Sequence, residues 1–217
     1  IISASSGLSG GKSMDNEIQI LKSLSLLEKV SSELGLRVSY HRIGQIKESE
    51  LYHETPVLLD SFHLSNSSNY GYSFFVEMKD YETFIYKKSQ EDEDGKMYKF
   101  NEAFETGRGS FVLRLNPMVA VIPGLYQIRI SSLESSAYRI RSRLTVKRIG
   151  DQSASSVLEL SYLDPVAEKA KDILNTVIDT YNEEEIKDEN RVYSNTLDFI
   201  DTRISDLIIE LDSVEGG

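Results

Sequence analysis

Cysteine and tryptophan are both absent from the chain. Without cysteine there is no disulfide framework, no thiolate-ligated zinc and no thiol nucleophile, and the absence fits cytoplasm and periplasm equally well. No apolar run reaches the roughly 20 residues that a membrane-crossing helix needs, and no signal peptide opens the sequence. Basic charge is also short: 24 Lys and Arg stand against 35 Asp and Glu, a net charge of -11. The deficit is local. From Asp164 to Gly217 there are 15 acids and 5 bases, leaving 20 acids and 19 bases for everything before. Such a surface repels a phosphate backbone and argues against nucleic acid as a partner. The plainer account of the acidic segment is a solvated helix face.

Signatures of catalysis and cofactor binding are missing as well. Gly7-Leu8-Ser9-Gly10-Gly11-Lys12-Ser13 has the flavour of a phosphate-binding loop, but the glycine required five positions before Gly11 is Ser6, so the loop reads as a flexible linker. Glu91-Asp92-Glu93-Asp94-Gly95 resembles part of a calcium loop, yet the twelfth position counted from Gln90 is Asn101 rather than Glu. It reads as a solvated hairpin tip. The three histidines, His41, His53 and His63, are too scattered for a metal site, although His53, His63 and Asp60 have a chance of meeting in space. No serine sits in a nucleophile-elbow context and no carboxylate pair marks a cleft. The expectation is a protein without catalytic residues, cofactor or metal.

What is present is organised structure. The 217 residues suffice for a real hydrophobic core. The chain opens on Ile1 and closes on Gly216-Gly217 just after a helical pattern, which suggests a segment of a longer polypeptide. After a Gly/Ser-rich start, Ile20, Leu24, Leu27 and Leu34 recur at helical spacing up to Gly35, predicting one helix over about Asn16 to Leu34 with Ser13 or Asp15 as its cap. Leu36 to Ile43 alternates like a strand. Short runs then follow at Val57–Leu64, Tyr72–Glu77, Thr83–Lys87, Met97–Phe100, Ser110–Leu115 and Leu125–Ile130, the spacing of a compact antiparallel β module. Asp94-Gly95 predicts a tight hairpin turn. The aromatics of this region, including Tyr70, Tyr72, Phe74, Phe75, Tyr81, Phe84, Tyr86, Tyr98 and Phe100, either fill its core or present tyrosines to sugar rings.

Helical spacing returns at the capping-box pattern Ser131 to Glu134, with Leu133, Ala137, Ile140 and Leu144 on one face. Strands Leu144–Ile149 and Val157–Leu163 come next, joined by Gly150-Asp151-Gln152-Ser153. Asp164-Pro165 then opens a helix whose stripe is Val166, Ala170, Ile173, Leu174, Val177, Ile178 and Tyr181. Both helical stripes need cover, and one shared sheet containing Leu36–Ile43 and Val157–Leu163 is the expected source. Beyond a polar stretch at Glu183-Glu184-Glu185, where the helix has a place to bend, Tyr193, Leu197, Ile200, Ile204, Leu207 and Leu211 alternate steps of four and three. That is the seam of a coiled coil. These six residues are the candidate interface.

The pattern Asp15-Asn16-Glu17-Ile18-Gln19-Ile20-Leu21-Lys22-Ser23 with Leu26-Leu27-Glu28-Lys29-Val30 resembles the first helix of Wzz-type chain-length determinant domains, particularly those of capsular and exopolysaccharide tyrosine autokinases from Bacteroides-like bacteria. Val157-Leu158-Glu159-Leu160, Asp164-Pro165, Ile173-Leu174-Asn175 and Tyr181-Asn182 resemble the family's returning strand and following helix. Asn195-Thr196-Leu197 with Phe199-Ile200 and Arg203 resembles the start of its long projecting helix. Leu24 stands where the commonest version carries Arg, so no role of that Arg carries over. The resemblance implies a domain on the periplasmic face of the bacterial inner membrane, anchored by membrane helices on both sides. It also implies ring-like homo-oligomers acting on a polysaccharide or its polymerase and export machinery, and in one branch a cytoplasmic kinase domain. The expected fold is α+β: residues 1–54 and 131–217 form the two halves of a body in which helices cover a small sheet. Residues 55–130 form an inserted β-rich module, and the C-terminal helix is long. A glycan-binding β module on a structural scaffold is the alternative function.

Overall fold

The computed structural model describes residues 14–65, 71–149 and 157–215, with side chains through residue 207. The Gly7–Ser13 loop, Tyr70, the loop at residues 150–156 and the side chain of Leu211 lie outside the described residues.

The first helical stretch is two helices, α1 (Met14–Leu21) and α2 (Leu24–Glu33), rather than one. Ser23 is the reason: its backbone is extended and its hydroxyl accepts the amide of Leu26, restarting the helix with a fresh cap. Gly35 ends α2 as expected. It adopts φ +64, and the amides of Leu36 and Gly35 return to the carbonyls of Ser31 and Ser32, the double bond of a Schellman close.

Nine strands follow in the antiparallel β region. β1 (Val38–Ile43), β2 (Glu48–Glu50), β4 (Tyr72–Met78), β5 (Thr83–Lys87), β6 (Lys96–Lys99) and β9 (Gly124–Ile130) form one sheet in the order β2-β1-β9-β4-β5-β6. β3 (Val57–Leu64), β7 (Ala103–Thr106) and β8 (Gly109–Leu115) form a second, in the order β3-β8-β7. Alternation decides which side chains face inward. Phe74, Val76 and Met78 from β4, Tyr126, Ile128 and Ile130 from β9, and Phe84 and Tyr86 from β5 meet Phe104, Phe111 and Leu113 of the other sheet in one core. Ring centroids of Phe74, Phe84, Phe104 and Phe111 lie 5.3–6.3 Å from their neighbours in this cluster.

The β5–β6 hairpin exists, but Asp94-Gly95 is not its two-residue turn. Tyr86 pairs with Lys96, so residues 88–95 form a longer connection. Gly95 is small for another reason: a Cβ there would lie 2.4 Å from Ile85 Cγ2. Phe75, on the opposite face of β4 from Phe74, is half-buried and outside the core.

The second core is helical. α3 (Leu133–Arg143) starts one residue later than the Ser131 pattern predicts, because the Ser132 hydroxyl, not that of Ser131, accepts the amide of Ser135. Among the described residues, β10 (Leu144–Ile149) and β11 (Val157–Tyr162) pair only with each other. α4 (Ala167–Glu215) begins two residues after Pro165, with Asp164 Oδ1 accepting the Val166 amide at 3.0 Å. Leu26, Leu27 and Val30 of α2 pack with Ala137 and Ile140 of α3, Leu144, and Ile173 and Val177 of α4. The two main helices thus share one body, but the shared sheet expected beneath them does not form. β1 belongs to the six-stranded sheet and β11 to the two-stranded one, since β1 finds its partner in β9. The fold is α+β, with antiparallel sheets and a long C-terminal helix. A boundary at residue 54 runs through the larger sheet, because β1 and β2 precede it.

Removing a ring from the aromatic core should be severe. Phe74→Ala and Phe84→Ala should each destabilise by about 3–5 kcal/mol in urea unfolding. Phe75→Ala should cost less than half as much, and equal losses at Phe74 and Phe75 would contradict the described faces.

Candidate functional site

The six seam positions lie on α4, and five of them have described side chains. Tyr193 is 66% exposed, Leu197 62%, Ile200 45%, Ile204 51% and Leu207 45%. Every residue from Ile186 to Leu207 is exposed. The helix passes Glu183-Glu184-Glu185 without a break, so the bend anticipated there does not occur. Its first half is tied to the body: Ile173, Thr176 and Val177 are buried, Lys29 meets Glu184, and the Tyr181 hydroxyl donates to Glu17. Ile186, seven residues before Tyr193, extends the same seam and is 58% exposed. Periodicity alone would have found it. Val192 and Phe199, also seven apart, form a second exposed pair off the seam.

A different feature was not visible in the sequence. Where the β core and the helical core meet, a cleft of about 310 Å³ opens between the α2–β1 turn, the 3₁₀ turn Tyr52–Glu54, and the facing surfaces of α3 and α4. Its wall carries four cations, Arg129, Arg139, Arg143 and Lys169, but one carboxylate, Glu50. Acids behind the wall answer three of the cations. Arg129 Nη2 lies 2.7 Å from Glu48, Arg143 Nη1 lies 2.7 Å from Asp164, and Lys169 meets Glu50 and lies 3.8 Å from Asp164. The Asp164 side chain is wholly buried against these partners.

Arg139 is different. Its guanidinium donates to the Ser131 hydroxyl at 2.7 Å and to the Leu36 carbonyl at 3.2 Å, and among the described residues no carboxylate lies within 4.0 Å of it. Burial lowers its pKa, with Glu50 opposing at longer range. Tyr52, also on the wall, has φ 30, a left-handed backbone that costs a side-chain-bearing residue of order 1–3 kcal/mol. Its hydroxyl donates to Asp172 at 3.0 Å, and burial followed by that carboxylate pushes the phenol pKa up.

The remaining sequence candidates do not assemble. Asp60 pairs with Arg114 at 2.9 Å and His53 faces Asp172 at 3.4 Å, so the His53, His63 and Asp60 trio is not formed. Asp92, in the acidic loop, takes the amides of Lys88 and Asp94 on its own carboxylate. Of the described middle-region aromatics, Phe74, Phe84, Tyr86 and Phe100 are buried and Tyr72, Phe75 and Tyr98 half-buried. Tyr81 stands out at 68% exposure, and no exposed tyrosine face is formed among the described residues.

No family model matches the chain, and no curated protein matches it. Among solved structures, a crystal structure of Xanthomonas campestris FlgL in space group H3 aligns with TM-score 0.27 and 12% identity, over 66% of this chain and 41% of that one. A second crystal form, space group C2, aligns with TM-score 0.28 and 13% identity, over 78% and 54%. This chain therefore spans about half or less of the FlgL chains. Likeness at this level carries no inference about fold or function.

His41, at the cleft wall, is 12% exposed and has Nδ1 2.7 Å from Glu48, yet its pKa is lowered from 6.5. Burial is the main cause and Arg129 the second, and together they outweigh Glu48 and Glu50. A lowered pKa means that the folded state resists protonation. The stability that neutral His41 contributes is full above 6.5 and is lost as pH falls through the lower folded value. Urea midpoints should therefore drop between about pH 7 and pH 5, and His41→Gln should flatten that slope.

Proposed function

We propose that this chain is the extracytoplasmic assembly domain of a bacterial inner-membrane polysaccharide co-polymerase, influencing polysaccharide chain length or export by oligomerising rather than by catalysis. The observation that carries the reading is the bare seam of α4. A coiled-coil stripe from Ile186 to Leu207 stands in water on a helix whose root is fixed in the body. Each apolar side chain left exposed forgoes roughly 1.5–3 kcal/mol of burial, and an isolated helix in water is only marginally stable. Such a stripe seeks a partner helix.

The family assignment rests on the residue patterns of α1–α2, β11 and α4. On this reading the domain faces the periplasm and membrane helices flank it in the parent protein. Its partners are further copies of itself together with the polysaccharide or its polymerase and export machinery. In the autokinase branch a cytoplasmic kinase domain follows the second membrane helix.

Sedimentation velocity tests the assembly step. The chain should self-associate with rising concentration, and Ile200→Asp combined with Ile204→Asp should leave a monomer whose circular dichroism and body melting are unchanged. A wild-type chain that stays monomeric at high concentration with α4 intact would overturn the interface, as would global unfolding of the double variant.

A further inference from the structure

The cleft between the two cores has a composition that the assembly reading does not use. Three of its four cations are matched by carboxylates, whereas the fourth, Arg139, is held only by neutral oxygens of Ser131 and Leu36. A guanidinium offers five N–H donors in a planar fork, and these two contacts leave donors available. Arg139 is exposed at the rim of the cleft, so those remaining donors are open to a ligand arriving from solvent. The two neutral contacts also fix the guanidinium in place before any ligand arrives, which lowers the entropy lost on binding.

From these groups we propose that the cleft binds a small hydroxylated organic anion, one carboxylate on a polar frame, with Arg139 as the group that takes the carboxylate. Size and charge set the class. About 310 Å³ is the low end of ligand-pocket volumes, room for a single sugar-sized unit rather than a chain. One cation without a carboxylate within 4.0 Å suits a single negative charge, and Glu50 on the same wall repels a second. Ser39, His41 and Tyr162 on the wall suit hydroxyl groups better than apolar surface. The site is independent of the α4 seam, so failure of either leaves the other standing.

The test is amide NMR titration of the whole chain with glucuronate, with glucose and with inorganic phosphate. Glucuronate should shift amides around Gly35, Ser131 and Arg139, and glucose should not. Arg139→Gln should weaken glucuronate binding about tenfold or more, the loss expected for a charged hydrogen-bonded contact. Because Arg139 also braces the α2–β1 turn, Ser39→Asp serves as a second variant. It leaves Arg139 in place, adds a carboxylate to the wall and should also abolish binding. Absence of glucuronate shifts in the wild type would overturn the site, as would equal shifts from glucose. Phosphate binding as tight as glucuronate would overturn the carboxylate-and-hydroxyl assignment.

Discussion

The pairing of β1 with β9 governs the placement of everything else. Val38 stands opposite Ile130, and the ladder runs one step further, with the Ser131 amide donating to the Arg37 carbonyl at 2.7 Å. α2 enters β1 through the Gly35 close, and α3 leaves β9 through Ser132. Because the two strands are antiparallel neighbours, both helices must stand at the same end of the sheet, side by side. Small residues make that approach possible: Ser31 and Ser136 are buried and hydrogen-bonded to each other, with Ala137 alongside. One pair of strands therefore fixes the distance between the two cores, and the cleft is the corner left where they meet.

That corner is polar because the groups lining it arrive from chain ends and turns whose backbone and side chains need partners. Glu50 ends a three-residue edge strand and Tyr52 lies just beyond it, Arg129 and Ser131 flank the end of β9, and Asp164 precedes α4. Carboxylates pair three of the cations, Glu48 with Arg129, Asp164 with Arg143, and Glu50 with Lys169. The left-handed backbone of Tyr52 is held by its hydroxyl on Asp172 and its ring against His53 at 3.8 Å. Across the junction, Lys169 meets Glu50, the Tyr52 hydroxyl donates to Asp172, and the Tyr52 ring packs against the helical core.

Much of this was legible from residue pattern, for identifiable reasons. The runs at Val57–Leu64 and Thr83–Lys87 read as strands because β-branched and aromatic residues alternate there, and the same residues proved to be β3 and β5. β2, Glu-Ser-Glu, escaped notice because it contains no apolar residue, and β7 because it has a single aromatic. The break between α1 and α2 was hidden in a stretch whose apolar spacing continues across it, although Ser23 is a standard capping residue. Tertiary pairing was beyond the pattern. β1 and β11 look alike in alternation, and only competition among partners puts them in different sheets. The cleft had no local signature at all, because its lining comes from β1, β9, α3, α4 and the turn at Tyr52 together, which no single stretch of sequence displays.

The continuity of α4 through its acidic middle makes the helix a lever. At about 1.5 Å per residue it extends roughly 70 Å, with its fulcrum where Ile173 and Val177 are seated and Lys169 grips Glu50. A rigid arm converts a small angle at its pivot into a large arc at its tip. A tilt of about 5° at the root carries Leu207 through several ångströms, roughly one side chain's width, by the helix rise alone. The seating of Ile173 and Val177 and the reach of one lysine thus set where a distant stripe of leucine and isoleucine points.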